Sequence, residues 1–515
     1  MPNRSADILF QLIRSLEKSE KRNFKLYIQR NSGNKDLKII ELFDAIDKLK
    51  EYDETVLLKK LNSIEKPQLS NIKAHLYKQL LASLRVIKTS ESIDMQLHEQ
   101  LDYARILYNK GLYHQSLKIL EKVKEMAIQH NQYTFLIQVI SFEKKIETLH
   151  ITRSMQDRAE KLSSEALGVN QKRETITGLS NLALLLYSWY VKNGHARNEN
   201  DEKTIKEFFF SKLPAHHQQL DGFYEKLYIC QSFCWFAFIR QDFLMYYRYT
   251  QKWVDLFHQN SNMVEIETGH YIKGIHNLLN AHFDLRNYAK FAETLSEFEA
   301  FSESPAAIRF ENTRIQMFVY LFSARLNQHI ILGDFKGGLS LLPAIEEKLE
   351  EYSLFIDRHR IMVINYKIAT IYFGADDYNR CIDYLHKIIN DPVDLRTDLQ
   401  CYSRLLHLIS HYELGNSEII EYLIKSVYRF MAKMQNLSSV EEAIFKFLRN
   451  AFHTDKGKLK QAFTELLEKL RKFEHNRFEA RAFVYLDIIS WLESKISQKP
   501  IAEIIRQRYL DSKHK

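Results

Sequence analysis

Short polar turns recur along this chain, and each lies between two segments whose apolar residues follow helical spacing. The clearest turns are Gly111-Leu112-Tyr113, Gly333-Asp334-Phe335 and Asp376-Asp377-Tyr378. Weaker copies occur at Gln241-Asp242-Phe243, Arg286-Asn287-Tyr288 and Gly415-Asn416-Ser417, and degenerate ones near Arg153, Gly194 and Lys456. A single helical hairpin cannot bury its apolar face, so such units must stack on their neighbours. The pattern therefore predicts an all-α fold built from helical hairpins.

The scarcity of turn-forming residues favours the same fold class. The 515 residues include 14 Gly and 7 Pro, whereas a sheet protein of this length needs many turns marked by these residues. A chain of this length also exceeds the size at which one hydrophobic core keeps growing. It must therefore form several domains or a repeat array whose core extends lengthwise.

The residues around the turns follow a second pattern. A small residue stands three places after the turn aromatic, and a bulky apolar residue follows four places later: Ser116 and Leu120, Gly338 and Leu342, Cys381 and Leu385. This pattern resembles tetratricopeptide repeats over roughly residues 95–455, although successive turns lie about 39 to 47 residues apart rather than 34. The resemblance implies a right-handed α-solenoid of antiparallel helical hairpins, in which the small residue lets the two helices of a repeat approach closely.

Basic segments flank the array. Residues 1–90 contain 18 Lys/Arg against 11 Asp/Glu, and residues 456–515 contain 14 against 8. We expect a basic N-terminal helical unit (1–90), a tetratricopeptide-like array (91–455) and a C-terminal helical cap (456–515) with helices from Leu459 to Phe473 and from Ala480 to Ile496. The stretch from Leu12 to Tyr27 is similar to the opening of a group of uncharacterised bacterial tetratricopeptide-like proteins, a similarity that implies no activity.

A row of mostly aromatic residues is the leading candidate for a binding surface. In the tetratricopeptide register, the inner position three residues before each turn is occupied by Tyr108, Phe238, Phe283, Ile330, Phe373 and Tyr412. Trp235 precedes Phe238 by one helical turn, and we expect these two to form the centre of a partner-binding groove. Rigid aromatic side chains are favoured anchors for protein partners. The alternative is that the row packs between neighbouring helices, since 12% of the chain is aromatic.

A basic patch is the second candidate surface, and it consists of Lys18, Lys21, Arg22, Lys25 and Arg30. Spacings of three and four residues place several of these side chains near one helical face, where they would meet phosphate. A Lys-rich face is more often simply solvated, and Glu17 and Glu20 dilute the charge of this one. Nucleic-acid binding is therefore the weaker expectation.

Motifs for catalysis are missing from the sequence. It contains no Gly-Lys-Ser/Thr phosphate loop, no Gly-x-Ser-x-Gly elbow and no His-Glu-x-x-His pair. His407 and His411 have the spacing of metal ligands on one helix, but no third ligand is obvious. We therefore expect no enzyme activity, no metal and no cofactor. The four cysteines are too few for a disulfide framework, which favours a reducing cytoplasm.

The apolar stretches are shorter than the roughly 20 residues that a membrane span needs, and the first residues show no secretion signal. Together these features predict a cytoplasmic, non-catalytic scaffold or adaptor that binds a partner peptide or helix in the concave groove of the array. The alternative is a regulatory helical-repeat module that senses a small peptide or binds nucleic acid through its basic ends. Homo-oligomers are also possible, because the ends of a solenoid can stack on each other.

Overall fold

The computed structural model describes residues 7–31, 37–61, 63–150, 157–392, 396–434, 437–451, 454, 456–474, 476, 478–479 and 481–513. Within these ranges the chain is helical and contains no strand, so the predicted all-α class is confirmed. None of the helices in these ranges is long and apolar enough to cross a bilayer. The degenerate turn expected near Arg153 lies outside the described residues.

The chain forms two compact units, residues 1–166 and 167–515. The helices of the first unit are α1 (Ile8–Ser15), α2 (Lys18–Asn31), α3 (Leu37–Asp47), α4 (Glu54–Lys60), α5 (Lys66–Lys88), α6 (Ile93–Asn109), α7 (Tyr113–Gln129) and α8 (Tyr133–Leu149), with a 3₁₀ turn at Thr89–Glu91. Helix α9 (Arg158–Asn193) runs through the division between the units. The domain boundaries at 90/91 and 455/456 remain predictions.

The second unit continues with helices of varied length. They are α10 (Glu199–Lys212), α11 (Phe223–Ile239), α12 (Phe243–Gln259), α13 (Asn262–Ile266), α14 (Thr268–Asp284), α15 (Tyr288–Ser302), α16 (Pro305–Ile308), α17 (Glu311–Leu332), α18 (Phe335–Leu339), α19 (Leu342–Glu351), α20 (Arg358–Gly374), α21 (Tyr378–Ile389), α22 (Thr397–Glu413), α23 (Ser417–Lys433), α24 (Ser439–Ala451), α25 (Lys456–Arg471), α26 (Arg481–Tyr485), α27 (Ile488–Ser497) and α28 (Ile501–Lys513). A 3₁₀ turn lies at His217–Gln219.

Helices α1 to α5 share an apolar core of their own. Phe24 of α2 meets Phe43 of α3 with 5.0 Å between the ring centroids, and both side chains are buried with Ile13 of α1 and Leu76 of α5. Asp7 caps α1 by accepting hydrogen bonds from the N–H groups of the first turn. Helix α2 therefore buries one face in this core and presents its other face to solvent.

The six recurring turns share one backbone conformation. The residue that starts each turn has a positive φ, between 53° and 75°: Gly111, Gln241, Arg286, Gly333, Asp376 and Gly415. At the turn that begins with Asp376, the N–H of Asp377 donates to the carbonyl of Tyr372 at 3.0 Å. This hydrogen bond ends α20 with a residue in the left-handed conformation. The Asp377 carboxylate then accepts from the N–H of Arg380 and starts α21. Each of these six predicted turns therefore ends one helix and begins the next.

The small residues of the repeat pattern lie where helices approach closely. The Ser116 hydroxyl of α7 donates to the carbonyl of Ala104 in α6 at 2.8 Å. A Cβ atom at Gly338 would lie 2.7 Å from Cδ1 of Ile371, so α18 and α20 leave no room for a side chain there. In the second unit, α11 packs on α12, α12 on α14, α14 on α17 and α17 on α20. This packing places α14, α17 and α20 side by side.

Candidate functional site

A cavity of about 1050 Å³ lies inside the second unit. Its walls are one face each of α11, α14, α17 and α20, together with residues at the start of α22 and around α26. Cavities of this size are at the upper end of the range that takes small ligands. The lining residues of α14 and α17 follow helical spacing, namely His270, Lys273, Asn277, Asn280 and Asp284 on α14 and Gln316, Tyr320, Ser323 and Asn327 on α17. Each helix thus turns an apolar face to the core and a polar face to the cavity.

An aromatic cluster lines the cavity beside α11. Trp235 is half-buried against Tyr187, with 5.1 Å between the ring centroids, and Phe238 packs edge-on against Tyr190 at 5.2 Å. His195 Nδ1 lies 2.8 Å from the carbonyl oxygen of Phe238. Trp235 and Phe238 therefore share one face of α11, as the helical spacing predicted, and that face borders the cavity.

The predicted aromatic row does not form one surface. Phe283 and Ile330 line the cavity with Trp235 and Phe238. Phe373, however, is only 4% exposed and Tyr412 packs against Phe447, Phe463 and Trp491, because helices from the end of the chain cover both positions. Tyr108 belongs to the first unit, where it contacts Tyr113, Phe142 and His150. Four of the seven predicted groove residues thus line the cavity, and the other three lie elsewhere.

Two basic side chains of the cavity lie over the Tyr320 ring, and a third is held by α17. Lys273 Nζ of α14 lies 5.0 Å from the centroid of the Tyr320 ring, and Arg360 Cζ of α20 lies 5.3 Å from the same centroid. The His276 ring stacks on Tyr320 with 4.0 Å between centroids. Lys367, two helical turns after Arg360, donates to Oδ1 of Asn327 at 2.5 Å. Cation–π contacts of this kind hold the basic groups in place against one ring.

Burial and mutual repulsion shift the pKa values of these groups. Burial lowers the pKa of Lys367 to about 7, although the nearby Asp284 opposes this shift. Burial raises the pKa of Asp284 to about 7, against the effect of Arg286 and Lys367. Burial lowers the pKa of His276 well below its usual value, and the positive charges of Lys273 and the other basic groups lower it further. The His276 ring is therefore neutral. Clustering of perturbed ionisable groups in a cavity is typical of a binding site.

The end of the chain forms one wall of the cavity. Arg396 and Asp398 form a two-pronged ion pair with distances of 2.8 and 3.0 Å, and the hydroxyl of Tyr485 donates to the same carboxylate. The Tyr485 ring stacks on Tyr402 at 4.5 Å, and its carbonyl accepts from the hydroxyl of Tyr366. The predicted helix from Ala480 to Ile496 is interrupted between α26 and α27, where Asp487 caps α27. The C-terminal segment thus lines the cavity in addition to covering the last helices.

The basic patch of α2 is partly neutralised. Lys21 and Lys25 form ion pairs of 2.6 Å with Asp47 and Asp44 of α3. Lys18, Arg22 and Arg30 are exposed. The two ion pairs therefore leave a smaller positive face on α2 than the sequence indicates. No feature of the described residues adds support for nucleic-acid binding.

His407 and His411 have a third histidine beside them, which the sequence did not reveal. His407 Nε2 lies 3.1 Å from His386 Nε2 and 3.2 Å from His411 Nε2. Burial and then the two neighbouring histidines lower the pKa of His407 to about 3, so this ring is neutral and its Nε2 lone pair is placed to accept a hydrogen bond from a neighbouring ring. Among the described residues, no three His, Cys, Asp or Glu side chains are placed to hold a metal ion together.

The basic cluster of the cavity was not predicted from the sequence. The available signal was the spacing of Lys273, Asn277 and Asn280, which places three polar side chains on one face of an otherwise apolar helix. No protein-family model, curated protein or solved structure matches the chain. The geometry of the cavity is therefore the basis for assigning a function.

Proposed function

We propose that this chain is a non-catalytic interaction protein, a scaffold or adaptor whose second unit binds a short peptide segment of a partner protein in the cavity. In this proposal the hairpins form a right-handed, tetratricopeptide-like α-solenoid, and the cavity is its concave groove. The observation that carries the proposal is that consecutive inner helices present polar side chains at helical spacing beside an aromatic cluster. Such a surface offers directional hydrogen bonds and apolar anchors together.

Amide side chains in the cavity match the chemistry of a peptide backbone. Asn277, Asn280 and Gln316 line it, and each carries both donor and acceptor groups. The amide of Gln316 already donates to the carbonyl of Gly269 at 3.0 Å, and Asn280 contacts His276. Asn277, in contrast, forms no hydrogen bond with its side chain within the described part of the chain. A bound peptide would supply partners for such groups, because peptide N–H and C=O groups are strong donors and acceptors.

The size of the cavity favours a short segment over a long helix. A helix with its side chains is about 10–12 Å wide, so roughly two turns would fill about 1050 Å³. The C-terminal segment around Tyr485 also closes one wall. The four cysteines are buried free thiols, which supports a reducing compartment such as the cytoplasm.

Selection of peptides on the full-length protein tests this function. Random octapeptides displayed on phage would be selected on the immobilised chain, and retained sequences would be synthesised for affinity measurement. Trp235→Ala should weaken binding by about 2 kcal/mol, as expected for an aromatic anchor at the centre of a binding site. Tyr422→Ala is the matched control, because Tyr422 is an exposed aromatic residue of α23 that does not line the cavity. Far-UV circular dichroism would establish that both variants keep their helix content.

Equal affinity of the wild type and the Trp235→Ala variant for every selected peptide would place binding outside the cavity and refute the proposal. If Trp235→Ala loses its fold, Asn277→Leu provides a second test at the same site. Asn277 is half-buried on the cavity face of α14, and leucine has nearly the same size but lacks the amide.

A further inference from the structure

Most carboxylates of the cavity already have partners. Among the described lining residues the pairs are Glu265 with Arg309 at 3.6 Å, Glu267 with the Tyr224 hydroxyl at 2.6 Å, Asp357 with Arg360 at 3.2 Å, and Asp487 with Arg286 at 3.7 Å. The remaining carboxyl group, Asp284, also lines the cavity and forms no ion pair with the described residues. Three of these five carboxylates thus have an arginine partner, whereas Glu267 accepts from a hydroxyl group.

The lysines of the cavity are in the opposite situation. Lys273 forms no ion pair with any described carboxylate, and its ammonium group rests over the Tyr320 ring. Lys367 contacts only neutral oxygens, namely Oδ1 of Asn327 at 2.5 Å and the carbonyl of Ser323 at 3.4 Å. Both lysines lie on cavity-facing positions of inner helices, α14 and α20. Lys273 therefore has no direct counter-ion among the described residues. Lys367, whose pKa burial lowers to about 7 against the effect of nearby Asp284, is partly charged near pH 7.

An ammonium group enclosed by protein without a counter-charge is unfavourable, because burial removes most of its hydration. A ligand carboxylate in the same enclosure would restore the balance, and the attraction is stronger there than in water. We propose that the peptide segment captured in the cavity is acidic, and that its Asp or Glu carboxylates bind to Lys273 and Lys367 near Tyr320. This inference rests on the proposed function and names the chemistry of its ligand.

Neighbouring groups fit the same ligand. Asn277 lies one helical turn after Lys273 on the cavity face of α14, so its amide is placed to donate to a carboxylate or to the adjoining peptide group. Trp235 and Phe238 offer an apolar surface in the same cavity. The geometry therefore favours a segment in which acidic residues stand close to an apolar residue.

Two matched peptide pools test the proposal. Fluorescent hexapeptides, acetylated and amidated at their ends, would carry Glu at two fixed positions in one pool and Gln at the same positions in the other. Fluorescence anisotropy would measure binding of each pool to the full-length wild type. We expect the Glu pool to bind at least about tenfold more tightly, which corresponds to about 1.4 kcal/mol. A third pool with phosphoserine at these positions distinguishes carboxylate from phosphate binding, and tighter binding of this pool than of the Glu pool would overturn the assignment to carboxylates.

Variants locate the effect. Lys273→Met and Lys367→Met should each reduce the preference for Glu over Gln by about tenfold, because a charge-assisted hydrogen bond is lost. Lys290→Met removes the same charge from an exposed ion pair with Glu293 on α15 and should leave the preference unchanged. Lys367→Arg places a permanently charged guanidinium at this position and should retain the preference.

The outcomes separate this inference from the proposed function. Equal binding of the Glu and Gln pools, with both weakened by Trp235→Ala, would overturn the acidic assignment and leave the peptide-binding function standing. Binding of neither pool, nor of any displayed octapeptide, would overturn both. The comparison of the pools on the wild type requires no variant, so a lysine substitution that fails to fold does not remove the test.

Discussion

Replacing Gly374 by alanine should destabilise the second unit. Gly374 is the last residue of α20, the helix that carries Arg360 and Lys367 into the cavity. The Phe335 ring lies directly on this glycine. An alanine Cβ would lie 2.3 Å from Cε1 and 2.4 Å from both Cδ1 and Cζ of the ring. Carbon atoms in contact are normally about 3.5–4.0 Å apart, so the ring would have to withdraw by roughly 1 Å.

Phe335 has little freedom to withdraw, since it is only 3% exposed and belongs to the main core of the unit. Overpacking of this kind costs about 1–3 kcal/mol, and the better helix propensity of alanine offsets up to about 1 kcal/mol of it. We therefore expect a net destabilisation of about 1–2 kcal/mol. Gly178→Ala is the matched control, because this exposed glycine of α9 has no atom within 4 Å of the added Cβ. That substitution should stabilise by about 0.5–1 kcal/mol.

Native-state hydrogen exchange of the α20 amides measures the loss of stability at the helix where it arises. A local measurement is needed because a chain with two compact units need not unfold in one transition. A double variant, Gly374→Ala with Phe335→Leu, should recover part of the loss, because the smaller side chain relieves the overlap. If the α20 amides exchange as slowly in the Gly374→Ala variant as in the wild type, the close packing of Phe335 on α20 does not constrain this position and the reasoning is refuted.

Two further predictions concern the cavity and its wall. The pKa of Asp284 is about 7 in the folded state and near 3.8 when unfolded, so the folded state binds more protons between these values. The free energy of unfolding contributed by this group should therefore fall as the pH rises from 4 to 7. Urea unfolding should show Asp284→Asn to be more stable than the wild type by a few kcal/mol above pH 7. Near pH 4 the two proteins should be equally stable. Tyr485→Phe removes the hydroxyl that donates to Asp398. It should speed amide exchange in α26 by an amount equivalent to about 1 kcal/mol, and unchanged exchange would show that this hydrogen bond does not hold the wall.

Local chemistry made much of the fold predictable. The turns at Gly333 and Asp376 were identifiable because a left-handed residue followed by a capping carboxylate ends one helix and starts another with little help from the rest of the protein. The shared face of Trp235 and Phe238 was predictable for the same reason, since helical spacing alone sets it. These features depend on residues within one or two turns of each other.

The cavity depended on contacts that no local pattern contains. Phe373 and Phe283 occupy the same position relative to their turns, yet only Phe283 lines the cavity, because residues near Trp491 return from the end of the chain to cover Phe373. Lys273 and Lys367 are 94 residues apart in the sequence, and only the side-by-side packing of α14, α17 and α20 brings them to one cavity. Sequence spacing determines which face of a helix a side chain occupies, but which faces meet, and which charges then lack a partner, is decided by tertiary packing.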